Sequence, residues 1–133
     1  MTKHEKLAEE YFLSGYNCAQ AVFLAFAEEQ GISREAAARI ASSFGGGVGG
    51  MREMCGALSG LCMAAGLLYG YDSPKAYEEK AEHYARIRVL ADGFRAQFGT
   101  ILCRDILGLG EHPKPTLPQR RTAEYYKDRP CAA

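Results

Sequence analysis

The sequence predicts an all-α, single-domain helical bundle, on three observations. Apolar residues recur at helical spacing in segment after segment, no segment alternates convincingly with the period of a strand, and capping residues and glycines punctuate the helical stretches. At 133 residues the chain suits one domain, large enough to bury a core without disulfides. Residues 1–107 read as a helical body and residues 108–133 as a connector and C-terminal tail, with no internal repeat.

The first helix carries Leu7, Tyr11 and Phe12 up to a break at Ser14-Gly15. Asn17 then caps a second helix with Ala21, Val22, Leu24, Ala25 and Phe26, which runs to Gly31. Ser33, with Glu35 close behind, opens an alanine-rich third helix that ends at Phe44, before the glycine loop from Gly45 to Gly50. A fourth helix is expected from about Arg52 to Tyr69, apolar on nearly every face and therefore the central element of the bundle. Gly56 and Gly60, four apart, would let a neighbouring backbone approach one side of it. Asp72-Ser73-Pro74 signals the start of a long fifth helix, whose stripe of Tyr77, Tyr84, Ile87, Ala91, Phe94 and Phe98 is expected to face the core until Gly99 ends it. Thr100 then caps a short sixth helix holding Ile101, Leu102, Cys103, Ile106 and Leu107. From Gly108 to Pro118 the chain is a Pro- and Gly-rich connector, and a last short helix over 118–127 would bring Cys131 back toward the body.

Composition excludes several function classes. Lys plus Arg equals Asp plus Glu at 16 each, and no basic run gives a nucleic acid a footprint. The apolar run from Met54 to Tyr69 is shorter than the roughly 20 residues a bilayer requires and is interrupted by Gly56, Gly60 and Gly66, so membrane insertion is not expected. The N-terminus lacks the apolar stretch and cleavage site of a signal peptide, which points to the cytoplasm, where thiols stay reduced. Cys131-Ala132-Ala133 is one residue short of a prenylation box. His4, His83 and His112 are expected in solvent, and no carboxylate pair stands apart from ordinary solvated helix faces.

The five cysteines carry the chemistry. Cys18 directly follows the cap Asn17, Cys55 lies in the opening turns of the fourth helix, and Cys103 is three residues beyond Thr100. Each is at or near a helix N-terminus, where unpaired N–H groups and the helix dipole favour a thiolate, the form that exchanges disulfides and ligates metals. Cys62, two turns beyond Cys55, reads as packing. Gly45, Gly47 and Gly50 formally satisfy G-x-G-x-x-G, but a helix precedes them instead of a strand and no Lys-Ser or Lys-Thr follows, so neither a dinucleotide fold nor a P-loop is indicated. Gly47, Gly49 and Gly50 read instead as a loop wrapped near Cys55, with N–H groups offered to a sulfur or a small anion.

The order of a lone cysteine, a Cys-Gly-Ala-x-x-Gly element and two later cysteines resembles the redox-active proteins named for their C_GCAxxG_C_C pattern. Cys18 in Tyr16-Asn17-Cys18-Ala19 matches the first cysteine, Cys55 to Gly60 the central motif, Cys103 the third cysteine and Cys131 the fourth; Cys62 has no counterpart. A similar domain occurs in split-Soret cytochromes that also carry an iron–sulfur centre. The resemblance implies that Cys18, Cys55, Cys103 and Cys131 converge, either for reversible thiol–disulfide chemistry or as ligands of zinc or an iron–sulfur cluster, serving an unidentified redox partner. The reading from a different class is a non-catalytic binding module or homo-oligomer with structural, buried cysteines. No Cys-x-x-Cys occurs to decide between exchange and metal.

Overall fold

The computed structural model describes residues 2–108, and these form six α-helices. Helix α1 (Lys3–Leu13) is opened by a capping box in which Thr2 and Glu5 satisfy each other's backbone N–H groups. Asn17 and Gln20 make the same box at the start of α2 (Cys18–Ala27), as the Asn17 cap predicts. A 3₁₀ turn (Glu28–Gln30) and Gly31, at φ +82°, end that helix. Ser33 caps α3 (Arg34–Ala41), and a second 3₁₀ turn (Ser42–Phe44) leads into the glycine loop.

Three boundaries depart from the sequence reading. Helix α4 spans Gly56–Tyr69 instead of starting near Arg52. Arg52 has φ +61°, outside the helical region, and the next residues are taken by an antiparallel bridge pairing Met54 with Leu102. Helix α5 spans Tyr77–Phe98, three residues later than Pro74 suggests. Ser73 caps only a local turn, and Tyr77 N–H bonds to Lys75 O across Ala76, whose φ −82°, ψ 69° is the inverse γ-turn conformation. That bend postpones the helix. Helix α6 spans Cys103–Ile106, so Cys103 is its first residue; Thr100 Oγ1 accepts from Leu102 N–H and donates to Asp105.

The core gathers on α2. Ala19, Phe23, Leu24 and Ala27 pack with Ala37 and Ala41 of α3 and Ala64 of α4, with Tyr11, Phe44 and Leu67 closing around them. Such small side chains bring backbones close. At Gly60 an added Cβ would lie 2.8 Å from Ala19 O and 2.9 Å from the Val22 Cβ, so α4 rests directly on the α2 backbone.

Helix α5 departs from expectation in its first half. Tyr77 and Tyr84 are exposed (80% and 50%), while His83, expected in solvent, is the one buried residue of this helix. Of the expected stripe Ile87, Ala91, Phe94 and Phe98 are part-buried, joined by Leu90, and His83 takes the inward position that Tyr84 was expected to fill. His83 Nδ1 accepts from Arg86 Nη1 at 3.0 Å and its ring meets Tyr71 edge-on. His4 is also held, stacked on Phe26 at 4.3 Å with Nε2 3.0 Å from a Glu29 carboxylate oxygen. That partner holds the Glu29 carboxyl below the usual carboxylate range. No described helix is long and apolar enough to cross a membrane. The expected helix over 118–127, most of the connector, His112 and Cys131 lie outside the described residues.

The α2–α4 contact separates two glycines of one helix. Gly60→Ala must push backbone aside and should cost about 1–3 kcal/mol in denaturant unfolding. Gly66→Ala meets nothing within 4 Å and should be neutral or stabilising by up to about 1 kcal/mol.

Candidate functional site

Each sequence-predicted cysteine within the described residues sits at the start of a helix. Cys18 is the first residue of α2 and half-buried; Cys55 is the N-cap residue of α4 and 4% exposed; Cys103 begins α6 and is 8% exposed. No disulfide joins any two of the described cysteines to one another.

Gly56 brings the first two together. A Cβ on Gly56 would lie 3.2 Å from the Cys18 Cβ, 3.1 Å from Ala19 N and 3.1 Å from Phe44 O. The N-terminus of α4 is thus pressed on the N-terminus of α2, with Cys18 against the residue that follows Cys55. Both cysteines line a groove of about 640 Å³, walled by Phe12 of α1, Val22 and Phe26 of α2, Leu61 of α4 and Phe94 and Phe98 of α5.

Cys103 is tied to Cys55 through the backbone. Cys55 N–H donates to Ile101 O at 2.7 Å and Cys103 N–H donates to Glu53 O at 2.6 Å, one bond on each side of the Met54–Leu102 bridge. Across this bridge position 55 stands opposite 101 and position 103 opposite 53, so Cys55 and Cys103 are diagonal neighbours, a relation that spans about 7–8 Å in a ladder. The Cys103 sulfur accepts a hydrogen bond from Arg52 Nη1 at 3.6 Å. Its Cβ packs against the glycine loop, where a Cβ on Gly47 would come within 2.7 Å of it.

The loop is a run of left-handed residues: Gly46, Gly47, Val48, Gly49 and Gly50 have φ between 56° and 77°. Gly49 and Gly50, expected to offer their N–H groups to a ligand, donate them to Ser43 O and Gly45 O; Arg52 and Glu53 donate to Gly46 O and Gly47 O. Packing is the loop's visible role. Gly45 sits against the Asn17 side chain, so the loop touches the cap of Cys18 at one end and Cys103 at Gly47.

Among the described residues no group of three or more His, Cys, Asp or Glu side chains is placed to hold a metal ion. Cys62, half-buried in α4, has its thiol pushed up by burial. The groove walls, Arg52 beside Cys103 and the bridge were not read from the sequence. For the charge beside Cys103 the local signal is Arg52 itself, two residues past the glycine run.

Comparison with known families matches residues 16–133 to the family described as "Putative redox-active protein (C_GCAxxG_C_C)". No curated protein and no solved structure matches the chain.

Two outcomes follow from this geometry. Gly47→Ala, strained by its φ of +69° and blocked by Cys103 Cβ and Glu53 N, should destabilise the fold clearly more than Gly49→Ala, which meets nothing within 4 Å and bears only the left-handed cost of about 1–2 kcal/mol; chemical denaturation of the two variants compares them. A thiol raised by burial has less thiolate at neutral pH, so Cys62 alkylation followed by peptide mass spectrometry should be slow near pH 7. Its rate should still be climbing at pH values where an ordinary thiol has levelled off.

Proposed function

Because the chain belongs to the C_GCAxxG_C_C redox-active family, we propose that it is a thiol–disulfide redox protein whose exchanging pair is Cys18 and Cys55. The observation that carries this reading is the Gly56 contact, which sets the start of α4 against Cys18 while both cysteines line one groove. In the oxidising half-reaction the two thiols become one disulfide, and two electrons and two protons pass to the partner. Cys18 is the more accessible of the two and sits where helix N–H groups favour an anionic sulfur, which suits it to attack first. Cys55, buried beside it, suits the role of closing the intramolecular bond.

Cys103 in this reading is a positioning residue as much as a thiol: its backbone bridge to Glu53 and its contact with Gly47 hold the segment from which Cys55 projects. Cys131 is assigned a later step, attacking the Cys18–Cys55 disulfide once that pair has closed. The setting is a compartment that keeps thiols reduced, the cytoplasm.

Titration of the reduced protein with an oxidant tests the pair. Two thiols per chain should be consumed before Cys62 reacts, and Cys18→Ser should abolish that first two-electron step while leaving the helical circular dichroism spectrum unchanged. Consumption led by Cys62, or a first step unaffected in Cys18→Ser, would remove the assignment. Cys131→Ser should keep the fold and accumulate the Cys18–Cys55 disulfide. Oxidation products identical to wild type would place Cys131 outside the chemistry.

A further inference from the structure

We infer, resting on the thiol-exchange reading above, that the substrate of this site is a neutral, apolar disulfide with aromatic or branched aliphatic substituents, and not an anionic low-molecular-weight disulfide. The groove that Cys18 and Cys55 line has a volume of about 640 Å³, within the roughly 300–1,000 Å³ usual for small-molecule sites, and its walls are aromatic and aliphatic. Phe94 and Phe98, tilted against each other at 4.6 Å, supply one wall from α5; Phe26 and Leu61 supply others from α2 and α4. Flat or branched apolar groups bury well on such surfaces.

Charge sets the other half of the specificity. Glu5 and Glu9 line the groove, no lysine or arginine is among the described residues that do, and His4 is already engaged by Glu29. A carboxylate-bearing disulfide would therefore meet like charge at the rim and lose its hydration against phenyl rings, with no lysine or arginine of the described lining to pair with it. A neutral apolar one meets neither cost.

The reaction balances without any further reagent. The Cys18 thiolate attacks one sulfur of R–S–S–R; a Cys18–S–R bond forms, the substrate S–S bond breaks, and RS⁻ leaves and takes a proton from water. Cys55 then attacks the Cys18 sulfur, expelling the second RS⁻, so the substrate is reduced to two thiols and the protein dithiol is oxidised to a disulfide.

Three disulfides test this on the full reduced chain: neutral dipyridyl disulfide, neutral hydroxyethyl disulfide and the dianionic bis(carboxynitrophenyl) disulfide. Each rate is divided by the rate of the same compound with N-acetylcysteine, which removes intrinsic reactivity. The normalised rate should fall in that order, with dipyridyl ahead of the dianion by about tenfold or more, at the low end of the effect that charged clefts have on encounter. Glu9→Lys, at an exposed position of α1, should raise the dianion's rate selectively. Phe98→Ala should lower the dipyridyl rate by a larger factor than the hydroxyethyl rate. Equal normalised rates for all three compounds, or a dianion preferred by the wild type, would overturn the substrate class while leaving thiol exchange intact. Normalised rates no higher than that of Cys62 alone for every compound would instead overturn the thiol-exchange reading itself.

Discussion

The contact between the backbones of α2 and α4 is the constraint on which the rest of this structure depends. Two glycines one helical turn apart, Gly56 and Gly60, bring no Cβ to this contact, and the facing Ala19 meets them with its backbone N and O. With backbones in contact, the two helix starts fall side by side, and the residues that begin them are Cys18 and, one position before Gly56, Cys55. The same closeness leaves little room for large side chains between the helices, so the bulky ones, Val22, Phe26 and Leu61, stand to one side and become groove wall. Core packing and site geometry are one arrangement.

The glycine loop solves a second problem, that of carrying the chain from the end of α3 to the start of α4 while pinning the distant Cys103. Five successive left-handed residues curl the loop tightly enough for its own carbonyls to accept the N–H groups of Gly50, Arg52 and Glu53. Four of those five are glycine, which adopts this conformation without steric penalty; Val48 is the exception. Gly47 has a further reason to be glycine, since Cys103 occupies the space its side chain would need. The N–H groups of Gly49 and Gly50, which the G-x-G-x-x-G spacing would turn to a phosphate, are held by the carbonyls of Ser43 and Gly45. The loop acts as a clamp between the cap of α2 and the first residue of α6.

Much of this was legible in the sequence because it is local. The caps Asn17 and Ser33, the breaks at Gly31 and Gly99 and the placement of three cysteines at helix starts all follow from neighbours within a turn. What was not legible is set by distant residues. The start of α4 is delayed by a bridge to Leu102, nearly fifty positions away. The facing side of α5 is fixed by His83 against Tyr71 and Arg86, whereas Tyr77 and Tyr84, apolar enough to pass for core, point to solvent. The groove could not be read at all, because its walls come from five helices and only the fold brings Phe12, Phe26, Leu61, Phe94 and Ile106 around one pair of cysteines.

The adjacency of Cys18 and Cys55 is the claim from which the chemistry follows, and peptide mapping of the oxidised protein tests it most directly. Mild oxidation of the full chain, blocking of the remaining thiols and non-reducing digestion should yield a peptide in which Cys18 is linked to Cys55, with Cys62 recovered in its blocked form. A fully oxidised protein in which Cys18 and Cys55 are never joined to each other, in wild type or in Cys131→Ser, would contradict the account.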